Sequence, residues 1–291
     1  MGTFLFSLLG LLGSGVTIGI ALCAGSMIFI MLDPMLNVET VGLSFFNFLQ
    51  SYSLMAVPLF IFAGFLMERT GMVRQLFQFA ESLVSWIRGG FGLATVTTCV
   101  MFSAISGSSV AVASAMSLIA IPEMRKRKYP DWMSAGIVAS GGGIGLLIPP
   151  SLSLIIYGVA TETSIVRLFM AGVIPGLLLA LGMYIIIIIA ASRVPSLVRG
   201  KFDVGILVTS TVAAIPGLGM PVLVLGGLYG GLFTPTEAAA AACGYALAYG
   251  FISKRREFFK EFDKYNYKRK LFHHQSSMLF LYQEMFPSHI Y

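Results

Sequence analysis

Charge is what this chain has least of. Asp, Glu, Lys and Arg make up 11% of its 291 residues, against about 25% in a typical soluble domain. With 57% of residues hydrophobic, it reads as an integral membrane protein. Cysteine is scarce too: Cys23, Cys99 and Cys243 lie in apolar stretches with no CxxC or paired spacing. That excludes a disulfide framework and a zinc site, and leaves small packing residues. His273, His274 and His289 are the only histidines, all in the polar end of the chain, with no further ligands at metal spacing. No nucleophile, base and orienting group stand at a recognisable spacing, so an enzyme is not expected. Residues 254–291 hold eight basic and four acidic residues, leaving only +2 of the net charge of +6 for residues 1–253. Nucleic-acid binding therefore has no support.

Apolar length is what is present. A spanning helix needs about 20 residues, and apolar stretches occur at 4–32, 51–67, 91–122, 133–160, 168–192, 204–228 and 238–252, the second and last being short. Residues 1–32 lack a basic leader and exceed the roughly 7–15 apolar residues of a signal peptide, so they read as a retained membrane helix. No Asp, Glu, Lys, Arg or His lies near the middle of any stretch, which removes the relay that proton-driven carriers place there.

Flanking Lys and Arg mark the cytoplasmic side. Connector 33–50 carries Asp33 and Glu39 and no basic residue, so it reads as outside, whereas 68–90 carries Arg69, Arg74 and Arg88 and reads as cytoplasmic. Residues 123–132 contain Arg125-Lys-Arg-Lys128 and are cytoplasmic by the same rule, so segment 91–122 begins and ends on one side. As one straight helix it would be about 48 Å long against a hydrocarbon core of about 30 Å. Folded back at Ser106-Gly107-Ser108-Ser109 it gives two arms of about 14 residues, each about 21 Å long, with Gly and Ser supplying the turn. Length, charge and turn chemistry thus predict a re-entrant hairpin.

The remaining stretches alternate. Residues 133–160 go out, 168–192 return to Arg193, Arg199 and Lys201, 204–228 leave, and 238–252 come back to Lys254-Arg-Arg256. Residues 68–88 interleave Arg74, Gln75, Gln78, Glu81, Ser82 and Ser85 with apolar residues at helical spacing. This predicts an amphipathic helix lying in the membrane interface, or a cytoplasmic helix packed on other subunits.

Two Gly/Ser-rich breaks lie inside apolar stretches, Ser103-Ala-Ile-Ser-Gly-Ser-Ser-Val-Ala111 and Gly141-Gly-Gly-Ile-Gly-Leu-Leu-Ile-Pro-Pro-Ser151. Unpaired backbone facing lipid costs several kcal/mol, so such breaks belong where protein buries them or where they line a site. The hairpin tip offers Ser103, Ser106, Gly107, Ser108 and Ser109. The second break offers Gly141, Gly142, Gly143 and Gly145, then Pro149, Pro150 and Ser151, the prolines removing donors. Freed carbonyls and half-helix C-termini suit Na⁺, and half-helix N-termini with hydroxyls suit an anionic substrate group. The alternative is that small residues only let helices approach closely. Thr234-Pro235-Thr236-Glu237 has the form of a capping box, with Thr234 as N-cap and Pro235 first in the helix, so Glu237 is structural.

Ala56-Val-Pro-Leu-Phe-Ile-Phe-Ala-Gly64, Arg88-Gly-Gly90, Phe102-Ser-Ala-Ile-Ser-Gly-Ser-Ser-Val110, Ile148-Pro-Pro150 with Tyr157-Gly158, Ala171-Gly-Val-Ile-Pro-Gly-Leu177 and Gly230-Gly-Leu-Phe-Thr-Pro-Thr-Glu-Ala238 run in order along the chain. Together they resemble the large permease subunit of tripartite ATP-independent periplasmic (TRAP) transporters, DctM-like, over residues 1 to about 262. The resemblance implies an all-α, multi-pass secondary carrier of the bacterial inner membrane, built from two inverted repeats and working as an elevator. It further implies a small membrane subunit and a periplasmic solute-binding protein as partners, a carboxylate substrate such as a C4-dicarboxylate or a sialic acid, and Na⁺ as coupling ion with no other cofactor. By carry-over, the two breaks line the ion and substrate sites, with backbone carbonyls holding Na⁺.

On this reading residues 1–67 are scaffold helices, 68–90 the amphipathic helix, 91–160 the hairpin and broken helix, 161–203 a helix and basic connector, and 204–262 the start of a second, incomplete repeat. Many members carry an Asp soon after the hairpin tip, where this chain has Val112. Residues 263–291 are polar and aromatic with no membrane-length run, and read as a truncated or frameshifted end or as a basic tail on anionic lipid. A non-transporting remnant or accessory membrane subunit, and an ion channel, are the competing functional readings.

Overall fold

A computed structural model of the chain describes residues 2–32, 38–195, 197, 200 and 202–264. These are helical, with no strand among the described residues. The chain divides into two compact units, residues 1–54 and 55–291.

The first unit corrects the reading of residues 1–32 as one helix: it holds α1 (Gly2–Gly13) and α2 (Ile18–Leu32). Gly15, at φ +80°, takes a left-handed conformation open to glycine, and the Val16 N–H turns back onto the Leu11 carbonyl at 3.2 Å. α2 then returns along α1. A Cβ on Gly25 would stand 3.4 Å from Ser7 Oγ, and the Phe4 and Phe29 rings meet edge to face with centroids 6.4 Å apart. With 12 and 15 residues the arms are about 18 and 22 Å long, short of the roughly 30 Å hydrocarbon core. α3 (Val38–Leu49) occupies most of what charge alone gave as a plain connector. Glu39 in its first turn complements the helix dipole, and Leu43, Phe45, Phe46 and Leu49 are exposed.

A 3-10 turn (Tyr52–Met55) spans the boundary between the units, and the second unit continues with α4 (Ala56–Thr70) and α5 (Met72–Val84). Gly71 at φ +81° makes the corner between the two helices. Met72, Val73, Leu76, Phe77 and Ala80 of α5 are buried against other helices of this chain. Leu76 fills the space over Gly217 of α11 (Val204–Tyr229), where a Cβ would stand 2.9 Å from Leu76 Cγ. Ser82 Oγ and Ser210 Oγ share a hydrogen bond of 2.8 Å, and Gln75 Nε2 donates to the Tyr249 hydroxyl at 3.0 Å. Sequence periodicity gave the apolar face of α5 but not these contacts with α11 and α12, because a 3.6-residue period fixes a face and leaves open what covers it.

Residues 91–122 form α6 (Gly90–Ser106) and α7 (Ser109–Lys126). At 17 and 18 residues the arms are about 26 and 27 Å long, longer than expected because α7 continues through Pro122 into the basic run. The second break separates α8 (Asp131–Ile144) from α9 (Leu152–Ala160). α10 (Ile165–Ser192) lies over that break: a Cβ on Gly176 would come 2.7 Å from Ile148 Cδ1, and one on Gly172 would press on the Leu147 carbonyl. α12 (Pro235–Lys264) packs along α4, where Cys243 Sγ donates to the Leu59 carbonyl at 3.1 Å. Ala238, Ala239, Ala242 and Ala246 of α12 are buried, small residues that let two helices approach closely.

Among the described residues, Tyr52–Thr70, Ile165–Ser192 and Val204–Tyr229 are long and apolar enough to cross a membrane. Residues 265–291, and with them nearly all of the polar tail, lie outside the described residues.

Candidate functional site

α6 stops at Ser106 because Gly107 turns left-handed at φ +58°, its N–H closing on the Ser103 carbonyl at 3.1 Å, a helix C-cap that glycine favours. Ser108 is extended, at φ −122° and ψ 119°, and its Oγ accepts the Ala111 N–H at 3.3 Å to cap the start of α7. In the second break, the N–H groups of Gly145, Leu146 and Leu147 close tight turns on the carbonyls of Gly142, Gly143 and Ile144 at 3.0 to 3.2 Å. The Pro149-Pro150 bond is cis. Ser151 donates to the Leu146 carbonyl at 2.7 Å while its Oγ accepts the Leu154 N–H at 3.5 Å, which starts α9.

The two breaks meet. The Leu152 N–H donates to the Gly107 carbonyl at 3.0 Å, and a Cβ on Gly107 would run into the Pro150 carbonyl oxygen. A Cβ on Gly145 would stand 3.1 Å from Ser109 N, and one on Gly142 2.8 Å from Ala113 Cβ. Gly107, Ser109, Gly142, Gly145, Pro150 and the start of α9 after Ser151 therefore form one junction. Gly141 looks elsewhere, since its Cβ would meet Cys99 Sγ of α6 at 2.7 Å, and Gly143 faces open space. α4 supplies a wall that sequence reasoning missed: a Cβ on Gly64 would lie 3.0 Å from Ser106 Cβ. The available signal was that Gly64 ends the Ala56-to-Gly64 stretch.

Ser103 and Ser106 carry the sharpest feature. Both are buried, 0% and 1% exposed, and both hydroxyls lack a hydrogen-bond partner. Earlier in the same helix Thr95 and Thr98 donate to the carbonyls of Phe91 and Ala94 at 2.9 and 2.8 Å, so the helix offers such a partner where a hydroxyl needs one. An unsatisfied buried hydroxyl costs about 1–3 kcal/mol. Two neutral oxygen donors at the C-terminal end of α6, where the helix dipole is negative, fit a hard monovalent cation. No His, Cys, Asp or Glu cluster that could hold a metal ion occurs among the described residues. The N-termini of α7 and α9, which start at the same junction, carry the positive dipole end that suits an anion.

A family model for the DctM component of the tripartite ATP-independent periplasmic transporter matches residues 5–279, running past Phe262. The chain belongs to this DctM family. Over 225 residues it is 42% identical to the C4-dicarboxylate TRAP transporter large permease protein DctM of Pseudomonas aeruginosa, covering 77% of this chain and 52% of that protein. Over 241 residues it is 40% identical to the corresponding DctM of Vibrio cholerae, covering 82% and 53%. Over 248 residues it is 35% identical to the sialic acid TRAP transporter large permease protein SiaM of Vibrio cholerae, covering 85% and 58%. The chain thus spans about half the length of the curated relatives it matches. The family is one of multi-pass membrane permeases.

Two further clusters of this DctM-family chain lie away from the junction. At the hairpin base, Arg127 Nη2 lies 2.6 Å from Glu81 Oε1 of α5, Arg127 Nε lies 3.6 Å from Glu123 Oε1, and the guanidinium sits 4.2 Å over the Phe91 ring. The Lys126 hydrogen bond, with Arg127 beside it, holds the Glu123 carboxyl below its ordinary pKa. At the start of α12, Glu237 Oε2 accepts the Thr234 N–H at 2.8 Å, and Thr234 Oγ1 accepts the Glu237 N–H at 3.4 Å. Thr234, Pro235 and Glu237 therefore close a helix end, and the Thr234 N–H holds the Glu237 carboxyl below its ordinary pKa.

Proposed function

We propose that this chain serves as large permease subunit in a Na⁺-coupled, binding-protein-dependent TRAP transporter of the bacterial inner membrane. The partners in this reading are a small membrane subunit and a periplasmic solute-binding protein. Uptake proceeds by movement of the hairpin α6–α7 and the broken helix α8–α9 against the other helices. Na⁺ is a transported ion here, and Ser103 Oγ and Ser106 Oγ, with backbone carbonyls of the two breaks, are the oxygens that hold it.

The observation that carries this reading is the pair of buried, partnerless hydroxyls beside the junction. A bound cation offsets their desolvation, which nothing in the described protein does. The relatives named for C4-dicarboxylates and for sialic acid support a carboxylate as substrate, with the N-termini of α7 and α9 as the anion-favouring side. Uptake of a carboxylate into vesicles holding the full set of subunits tests it. Replacing Na⁺ by choline is expected to abolish uptake, and uptake that persists without Na⁺ sinks the coupling claim.

A further inference from the structure

The first turn of α8 and the last turns of α10 leave a groove of about 480 Å³, lined by Trp132, Ile186, Ile189, Ala190, Arg193 and Val194. It lies away from the hairpin-tip junction, and neither the family reading nor the proposed transport uses it. Three properties of its lining bear on what occupies it.

The first is its cation. Arg193 is exposed and, among the described residues, its guanidinium has neither ion pair nor hydrogen bond. The nearest acid in sequence on the α8 side, Asp131, is taken up by Arg125 at 2.8 Å. The second is Trp132, which is 68% exposed and brings an indole N–H donor of the kind found at the level of lipid headgroups. The third is the apolar stripe that continues from the groove along α10. Leu178, Ile186 and Ile189 are 63%, 67% and 49% exposed, and at Gly182 between them a Cβ would meet nothing within 4 Å. With Arg193 these positions recur every three to four residues and lie on one face of the helix. From Arg193 to Leu178 the stripe runs about 22 Å, more than one leaflet's share of about 15 Å of the hydrocarbon core.

One cation and one N–H donor at the mouth of an apolar track match a phosphate group attached to an acyl chain. The basic connectors around 123–132 and 193–201 place this end of α8 and α10 at the cytoplasmic face, where anionic lipids meet basic pockets between membrane helices. We propose that the groove binds an anionic phospholipid of the cytoplasmic leaflet, its phosphate against Arg193 and the Trp132 indole and one acyl chain along Ile189, Ile186 and Leu178.

Trp86 and Trp132 are the chain's two tryptophans, so Trp86→Phe makes the emission of the full chain report on Trp132 alone. In lipid nanodiscs, quenching by brominated phosphatidylglycerol is compared with quenching by brominated phosphatidylcholine at equal mole fraction. The expected result is an enrichment of phosphatidylglycerol at Trp132 of about fivefold, the factor one basic residue near the surface supplies. It falls to no preference in Arg193→Gln and survives in Arg193→Lys. Equal quenching by the two lipids in the parent overturns the proposal, because Trp132 then meets bulk lipid only. A preference undiminished in Arg193→Gln overturns it equally.

Discussion

The Leu152 N–H donates to the Gly107 carbonyl across 3.0 Å, and this bond joins the tip of the hairpin to the restart of the broken helix. Two interruptions that are 45 residues apart in the chain therefore share one backbone contact at the buried end of α6. The tip is held by main chain as well as by packing.

Gly107 is the residue that this arrangement tolerates least in altered form. A side chain there is strained at φ +58° and runs into the Pro150 carbonyl, and the conformational cost alone is about 1–2 kcal/mol. Gly107→Ala is expected to lower the thermal midpoint of the purified chain by at least about 2–4 °C per kcal/mol lost. Gly143→Ala, where a Cβ meets nothing within 4 Å, is expected to leave the midpoint unchanged or slightly raised, since Ala is the better helix former.

The hairpin base predicts a measurable coupling between Glu81 and Arg127. The side chains are 26% and 40% exposed, so the pair is worth about 0.2–1 kcal/mol, with the Phe91 face adding about 0.5–1 kcal/mol to Arg127 alone. In a double-mutant cycle of Glu81→Gln and Arg127→Ala, the coupling is expected to shrink as salt is raised, and the Arg127 single variant to be the more costly of the two. A coupling of zero at low salt contradicts the contact.

The start of α12 predicts a pH signature. Because the Thr234 N–H lowers the Glu237 pKa in the folded chain, the carboxylate's contribution is present above the unfolded value of about 4.3. It is lost as pH falls through the lower folded value. The gap in thermal midpoint between the parent and Glu237→Ala is expected to be open at pH 6 and to narrow below about pH 4. A gap that stays constant across that range argues against the capping box.

The hairpin was legible from sequence because three independent constraints agreed on residues 91–122: excess length, basic residues at both ends, and Ser106-Gly107-Ser108-Ser109 between them. The split of α1 from α2 was missed although Gly13-Ser14-Gly15 is a turn signal, since no charge on either side disagreed with a single crossing. The Thr234 to Glu237 cap was legible because all its partners lie within four residues. Gly64 against Ser106, Cys99 against Gly141 and Leu76 over Gly217 are tertiary contacts between small and large residues, which local pattern does not encode. The orphaned hydroxyls of Ser103 and Ser106 belong to the same class: the sequence named the serines, but only the packing shows that they are buried and unbonded.

Those two hydroxyls carry the central claim, and Na⁺-dependent stability of the full chain tests it most directly. If they help hold Na⁺, raising Na⁺ to about a hundred times its dissociation constant stabilises the folded chain by about 2.7 kcal/mol, while the same concentration of K⁺ or choline does not. The Ser103→Ala, Ser106→Ala double variant is expected to be at least as stable as the parent without Na⁺, having lost two unsatisfied groups, and to have lost the response to Na⁺. Equal stabilisation of the parent by Na⁺ and K⁺, or a Na⁺ response undiminished in the double variant, contradicts the account.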